Sequence, residues 1–293
     1  MDSQERLANR GARSDRASVD RRIVLSGRIR MKNGSKNMGR ILLEICCGAV
    51  DDAVAAEQGG ANRIELCSAL FLGGLTPSTG AICEAKSRLT IPVMVMMRPR
   101  SSGFCYSPIE MDVMVRDIEN AVRAGADGIV FGILKEDSTV DVERCRSIRD
   151  LIGDRQAVFH RAFDVTPDPF RALDELISLG VTRVLTSGQQ SAAPEGADLI
   201  KRLIDYSRGK IEILPGGGIR VQTVKDLVEK TGCKQVHMTA FRPRHDTSAS
   251  ARPAVTFNGQ LLPAESSYEV TDSNLVERIV REIESRNVAD VEH

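Results

Sequence analysis

The sequence predicts a single (β/α)8 barrel of the TIM type, an α/β fold, preceded by a basic N-terminal segment. Two observations favour this fold. Short apolar runs alternate with amphipathic stretches at intervals of roughly thirty residues. The pattern also supplies eight strands and eight helices within residues 41–286, which suits one such barrel. A doubly wound open sheet is the less favoured alternative, because no Gly-x-Gly-x-x-Gly motif follows the first apolar run.

Eight apolar or β-branched runs define the predicted strands. In chain order they are Ile41–Cys46, Arg63–Cys67, Pro92–Met97, Gly128–Gly132, Ala157–His160, Arg183–Thr186, Ile211–Leu214 and Gln235–Thr239. Helical periodicity is clear over 109–124, 169–179 and 221–230, and glycines follow several helices. Asp168 followed by Pro169 predicts one helix start, and Asp272 or Ser273 begins a last helix. The stretch 241–271 is too long for a minimal connection, so it is either a functional loop or a peripheral arm.

The zero net charge hides an asymmetry along the chain. Residues 1–40 contain eleven Lys or Arg against four Asp or Glu, whereas residues 41–293 contain twenty-nine against thirty-six. The first segment has no sustained apolar pattern, which is typical of disorder, and it lacks the apolar region of a secretory signal. We therefore expect a disordered basic tail at 1–40, a barrel at 41–286 and a short C-terminal tail at 287–293.

Composition argues against several classes of function. Aromatic residues make up 4% and Trp is missing, so a base-stacking surface is not expected, and zero net charge argues against a nucleic-acid partner. No apolar run approaches the roughly 18 residues of a membrane span. Seven irregularly spaced cysteines in a chain without a signal indicate reduced thiols. The expectation is a cytoplasmic protein without membrane or nucleic-acid partners.

Charged side chains cluster at the predicted carboxyl ends of the strands, where such barrels carry their chemistry. Because strand residues alternate faces, Ile64 and Leu66 would face the helices, while Arg63, Glu65 and Cys67 would face the interior. Buried charges must be paired. They form either a buried ion network that sets strand register or an active site with acid–base and anion-holding groups. The candidate catalytic residues are Glu44, Arg63, Glu65, Arg98, His160, Arg161 and Asp164.

The loops after strands 6 and 7 suggest an anion site. Pro215-Gly216-Gly217-Gly218 directly follows strand 7, where phosphate sites in these barrels often lie. The candidate anion-binding residues are Ser187, Gly216, Gly217 and Gly218. The alternative is a tight strand-to-helix turn.

Two cysteines would face the barrel interior from neighbouring strands. Cys46 and Cys67 could hold Cu(I), which prefers soft thiolates, aided by Met96 or a histidine such as His237. The alternative is that both are small apolar packing residues, as buried cysteines commonly are.

Seven motifs resemble the CutC copper-homeostasis family. They are Leu43-Glu44-Ile45-Cys46-Cys47, Ala61-Asn62-Arg63-Ile64-Glu65-Leu66-Cys67, Gly73-Gly74-Leu75-Thr76-Pro77-Ser78, Arg98-Pro99-Arg100 with Phe104-Cys105-Tyr106-Ser107, Phe159-His160-Arg161-Ala162-Phe163-Asp164, Val184-Leu185-Thr186-Ser187-Gly188 and Pro215-Gly216-Gly217-Gly218-Ile219. The resemblance covers residues 41–286. It implies a cytoplasmic TIM-type barrel that forms a homodimer and binds Cu(I), with Cys46 and Cys67 as the metal ligands.

The chain departs from the family pattern in three places. The usual Arg-Pro-Arg-Gly-Gly-Asp-Phe reads Arg98-Pro99-Arg100-Ser101-Ser102-Gly103-Phe104, which removes an acidic residue. Met238 follows the strand 8 histidine where the family has Ser or Cys, and the family's aromatic-Arg-Asn stretch has no counterpart in 252–259. A role for the missing carboxylate is therefore not expected.

The sequence leads to two hypotheses. In the first, the protein serves copper homeostasis and its ligand is a copper ion, Cu(I), held by barrel-mouth thiolates. In the second, it is an enzyme acting on a small anionic or phosphorylated metabolite. Glu44, Glu65 or His160 would then act as acid or base, and the arginines and the glycine loop would hold the anion.

Overall fold

The structure is a computed structural model that describes residues 41–248, 250–252, 254–255 and 266–285. The tails predicted at 1–40 and 287–293 lie outside these residues. Among the described residues, no helix is both long and apolar enough to cross a membrane.

Eight parallel strands form the predicted barrel. They are β1 (Leu42–Cys47), β2 (Arg63–Leu66), β3 (Val93–Met96), β4 (Gly128–Phe131), β5 (Gln156–Phe159), β6 (Arg183–Thr186), β7 (Glu212–Pro215) and β8 (Gln235–Met238). Each strand from β1 to β7 pairs with its neighbour in sequence, and β8 pairs with β1. A bridge between Gly216 and His237 brings the end of β7 beside β8 and closes the barrel.

Eight helices follow the strands. They are α1 (Val50–Gln58), α2 (Thr79–Arg88), α3 (Pro108–Arg123), α4 (Val142–Ile152), α5 (Pro169–Ser178), α6 (Ala197–Ser207), α7 (Val221–Thr231) and α8 (Ser273–Glu284). The predicted caps are present: Asp168 accepts hydrogen bonds from the Phe170 and Arg171 amides, and Asp272 accepts one from the Asn274 amide. The predicted fold class is confirmed.

Strand alternation separates two apolar layers. Ile45, Cys47, Ile64 and Leu66 belong to the large core between the strands and the helices. A smaller cluster fills the barrel interior, and its buried members are Cys46, Cys67, Met94, Met96, Val130 and Val158. The two predicted metal ligands therefore lie inside the barrel, whereas Cys47 packs outside it.

The long stretch after β8 contains a two-stranded arm. Strand β9 (Phe241–His245) pairs antiparallel with β10 (Ser267–Thr271), and β9 is exposed over most of its length. The Thr271 amide donates to Asp52 at 2.6 Å, which attaches the arm to α1. The peripheral-arm interpretation is thus the better one, although Phe241 and Glu269 also line the barrel mouth.

Candidate metal centre at the barrel mouth

The carboxyl ends of the strands surround a cavity of about 410 Å³. Its lining includes Cys46, Glu65, Met96, Arg98, Phe104, His160, Arg161 and His237. A second cavity, of about 380 Å³, lies near the opposite end of the barrel beside Leu42, Glu212 and Gln235. We place the candidate site at the mouth, because side chains that could hold a metal ion cluster there.

Cys46 and Glu65 line the floor of the mouth, and Cys67 is buried next to Glu65. Cys46 lies opposite Glu65 in the β1–β2 register. The Sγ atom of Cys46 is 3.4 Å from Oε2 of Glu65, and the Sγ atom of Cys67 is 3.5 Å from the same oxygen. One ligand atom from each of the three lies within 4.8 Å of the others. The structure thus brings together the two thiols that the sequence singled out.

A buried polar network lies directly beneath this floor. Arg63 Nε donates to Glu44 Oε2, and Arg63 Nη2 donates to Gln235 Oε1 at 2.9 Å. His237 Nδ1 is 2.8 Å from Glu44 Oε1, and His237 Nε2 is 3.8 Å from Glu65 Oε2. Glu44 and Arg63 therefore pair, as the buried-network alternative predicts. Sequence reasoning missed Gln235, whose only signal was a polar residue two positions before the inward-facing His237.

The surroundings shift the pKa values of this cluster in opposite directions. Burial alone would raise the pKa of Glu44, but Arg63 and His237 outweigh it and lower that pKa to about 2. Burial raises the pKa of Glu65 to about 8, against the pull of His237. A hydrogen bond from Cys67 lowers the pKa of Cys46 to about 5 against burial, with further help from His237. The lowered pKa favours the thiolate of Cys46, which is the form of cysteine that binds metal ions.

Arg98 is held by backbone carbonyls rather than by the mouth carboxylates. Its Nη1 donates to Leu72 O at 2.9 Å and Gly74 O at 3.1 Å, and Nη2 donates to Ser102 O at 2.8 Å. Among the described residues, no ion pair links Arg98 to Glu44 or Glu65. Arg98 instead anchors the loops after β2 and β3.

His160 is buried as a neutral base. Its Nδ1 accepts a hydrogen bond from the Ala162 amide at 3.1 Å, and the Phe104 ring packs against it at 5.0 Å. Burial, reinforced by the charge of Arg98, lowers the pKa of His160 to about 3. Within the described residues, neither His160 Nε2 nor Arg98 Nε has a hydrogen-bond partner.

The neutral state of His160 predicts a pH-dependent stability. Its pKa is lower in the folded protein than the ordinary value of about 6.5 in the unfolded chain, so the unfolded state binds the proton more readily. The stabilisation is present above pH 6.5 and is lost as the pH falls toward 3. Between pH 7 and pH 5 the wild type should lose about 2 kcal/mol more unfolding free energy than His160→Asn, measured by urea denaturation. Equal slopes would contradict a neutral buried His160.

The carboxylate of Asp164 binds the amide and hydroxyl groups after β6 that could otherwise hold an anion. Its carboxylate accepts hydrogen bonds from the Ser187 amide at 3.0 Å, from Ser187 Oγ at 2.9 Å and from Thr186 Oγ1 at 2.5 Å. Arg161 Nε also donates to it at 2.8 Å. The charge of Arg161 and the hydroxyl of Ser187 are therefore used within the protein, and catalytic or anion-binding roles for these residues stay predictions.

Close packing accounts for the glycines after β7. Gly217 has a φ of +98°, and a Cβ atom there would lie 2.9 Å from Arg161 Nη1. A Cβ atom on Gly216 would meet Leu185, and one on Gly218 would meet Ala192. This arrangement agrees with the tight-turn alternative, and an anion site at Gly216–Gly218 stays a prediction.

Comparison with known proteins points to one family. A family model described as the CutC family matches residues 41–242. A CutC family protein of Treponema denticola is 48% identical over 246 residues, which is 84% of this chain and all of that protein. The human copper homeostasis protein cutC homolog is 42% identical over 266 residues, covering 91% of this chain and 94% of the relative.

A solved structure agrees with these sequence matches. The crystal structure of a CutC protein from Streptococcus agalactiae matches with a TM-score of 0.65 and 37% identity, covering 67% of this chain and 97% of that one. More distant structures, such as a phosphonomutase-like protein of Burkholderia cenocepacia at 16% identity and a TM-score of 0.51, share the fold alone.

Proposed function

The chain belongs to the CutC family, and from this premise we propose that it serves copper homeostasis by binding Cu(I) through the thiolates of Cys46 and Cys67. The observation that carries the proposal is the pair of buried sulfur atoms, 3.4 and 3.5 Å from the same Glu65 oxygen, with Cys46 and Glu65 lining a cavity of about 410 Å³. The human and mouse relatives are both named copper homeostasis protein cutC homologs, which supports the same function.

The chemistry of the pocket suits Cu(I). Cu(I) is a soft cation that prefers thiolate and thioether ligands. Cys46 and Cys67 supply two sulfur atoms, and Met96 belongs to the same interior cluster and also lines the cavity. Both cysteines are less than a tenth exposed, so a bound ion would be screened from water and from oxidants. Copper is here the protein's ligand rather than a reagent in a reaction.

The state of the thiols supports a reducing location. All seven cysteines lie in described parts of the chain, and no disulfide joins any two of them there. Free thiols persist in compartments such as the cytoplasm, where disulfides are kept reduced. A cytoplasmic location is therefore part of the proposal, and the homodimer implied by the family resemblance stays a prediction.

The test is the loss of Cu(I) binding when both sulfur ligands are removed. The change is Cys46→Ala/Cys67→Ala, and the measurement is anaerobic titration with Cu(I) against a competing chelator. Loss of an outer-shell partner already costs about 10–100-fold in metal affinity, so loss of both ligands should cost more. Cys145→Ala is the matched control, because Cys145 is buried between the barrel and α4 and donates to Ile133 O. A double variant that binds Cu(I) as tightly as the wild type would overturn the proposal.

A further inference from the structure

Glu65 lies at the centre of a donor set that extends beyond the two thiols. Its Oε2 atom is 3.4 Å from Cys46 Sγ, 3.5 Å from Cys67 Sγ and 3.8 Å from His237 Nε2. A tetrahedral zinc ion has bonds of about 2.0–2.3 Å to oxygen, nitrogen and sulfur, which place its ligand atoms about 3.4–3.8 Å apart. The three separations measured from this oxygen match edges of such a tetrahedron. Glu65 belongs to two groups of possible ligands among the described residues, one with Cys46 and Cys67 and one with Glu44 and His237. A Cu(I) site made of two thiolates would not need Glu65 to lie this close to Cys46, Cys67 and His237.

His237 has the orientation of a metal-ligating histidine. Its Nδ1 is 2.8 Å from Glu44 Oε1, so the carboxylate engages that nitrogen and leaves Nε2 directed at Glu65. Histidines that bind metal ions almost always donate their other ring N–H to a carboxylate, a carbonyl or water. Arg63 in turn holds Glu44 through Nε. The network beneath the floor therefore fixes the imidazole in the orientation that a metal ion requires.

The second oxygen of Glu65 is an independent sign of a missing cation. Glu65 is 3% exposed, and its Oε1 atom is buried without a hydrogen-bond partner among the described residues. An unpaired buried carboxylate oxygen costs free energy unless a proton or a metal ion satisfies it. Arg98 also lines the mouth, but its Nη atoms donate to backbone carbonyls.

We infer that Cys46, Cys67, Glu65 and His237 form a four-donor site that binds a divalent cation of the Zn²⁺ class in addition to Cu(I). Two sulfur atoms, one imidazole nitrogen and one carboxylate oxygen are the ligand types and the number that Zn²⁺ takes. Cu(I) would need the thiolates alone, whereas the divalent ion would need Glu65 and His237 as well. The inference shares both cysteines with the proposed copper site and rests in part on that proposal.

Co²⁺ is the probe that reports this geometry. Anaerobic titration of the metal-free full chain with Co²⁺ should produce the intense visible bands of a tetrahedral site and thiolate-to-cobalt charge transfer, saturating at one ion per chain. Zn²⁺ should displace the cobalt and bleach both features. An octahedral spectrum, or one without the charge-transfer band, would overturn the inference.

Two variants separate the divalent site from the copper site. His237→Gln and Glu65→Gln each remove a donor that the thiolate pair does not need, so each should weaken Co²⁺ binding more than 10-fold and change its visible spectrum. Cu(I) binding, measured by chelator competition on the same samples, should be retained because the thiolate pair remains, with its affinity lowered by no more than the roughly 10–100-fold that the loss of an outer-shell partner costs. His245→Gln is the matched control, because His245 is exposed on β9 and is not part of the cavity lining. Circular dichroism of every variant verifies folding, and having two variants keeps the test available if one does not fold.

The outcomes distinguish the two proposals. An unchanged cobalt spectrum in both His237→Gln and Glu65→Gln would overturn the four-donor site while leaving the copper proposal intact. A wild type that fails to compete for Cu(I), yet binds Co²⁺ and Zn²⁺ in a manner lost on His237→Gln, would overturn the copper proposal and support the four-donor site.

Discussion

Replacing Arg63 by Met should lower the free energy of unfolding by about 3–5 kcal/mol. Arg63 and Glu44 form an ion pair whose side chains are 4% and 2% exposed. Removing the guanidinium leaves the carboxylate buried, with only His237 to satisfy it. Methionine keeps most of the volume, so the loss reflects the uncompensated charge rather than a cavity. Urea denaturation at neutral pH gives the measurement.

A double-mutant cycle separates the interaction between Glu44 and Arg63 from the other effects of each substitution. Glu44→Gln/Arg63→Met should lose less stability than the sum of the two single variants, because removing both charges also removes the unpaired one. The control is Arg281→Ala, whose ion pair with Glu277 is 74% and 46% exposed and should contribute at most about 1 kcal/mol. Additive single effects, or an Arg63→Met variant as stable as the control, would contradict the buried pair.

Replacing Asp164 by Ala should cost at least about 2 kcal/mol of unfolding free energy. The carboxylate is 7% exposed and satisfies the Ser187 amide and the Thr186 and Ser187 hydroxyls. Each buried donor left without an acceptor costs about 1–3 kcal/mol, and at least two would be left. Arg161 would also lose its carboxylate partner. Thermal and urea unfolding should both show the loss.

Asp137→Ala provides the comparison for Asp164. Asp137 also accepts hydrogen bonds from a neighbouring amide and hydroxyl, those of Thr139, but it lies on an exposed turn where water can replace it. Its substitution should change the unfolding free energy by less than about 1 kcal/mol. If Asp164→Ala were equally mild, Asp164 would not be the group that holds the loop after β6, and its predicted catalytic role would gain weight.

Most of the fold could be read from local patterns. Strand boundaries agree within one or two residues, because each strand is a short apolar run with a helix stop before it. The two strands of the arm could not be assigned, since each has only five residues, β9 contains Pro243, which is depleted in strands, and β9 is exposed over most of its length. Pairing between β9 and β10 stabilises the arm, and such pairing cannot be predicted from the sequence of either strand by itself.

The sequence predicted which residues lie at the candidate site, but it did not predict which of them contact one another. Period-two alternation placed Cys46, Glu65 and Cys67 inside the barrel, and the structure puts them there. Arg98 satisfied the same pattern, yet it binds backbone carbonyls of neighbouring loops, whose course no strand pattern describes. Asp164 was likewise a plausible acid, but the loop after β6 folds its amides and hydroxyls onto the carboxylate.

By itself, the sequence determined the barrel, the inward face of each strand and the two sulfur donors, because these follow from periodicity and residue type along single segments. Only the tertiary structure decided which charges meet. Glu44 on β1 contacts both Arg63 on β2 and His237 on β8. Strands β2 and β8 are far apart in the chain, but both pair with β1 when the barrel closes. The pKa of a buried group depends on such neighbours within a few ångströms. A neutral total charge therefore says nothing about a site in which Arg63 and His237 lower the pKa of Glu44 and burial raises the pKa of Glu65.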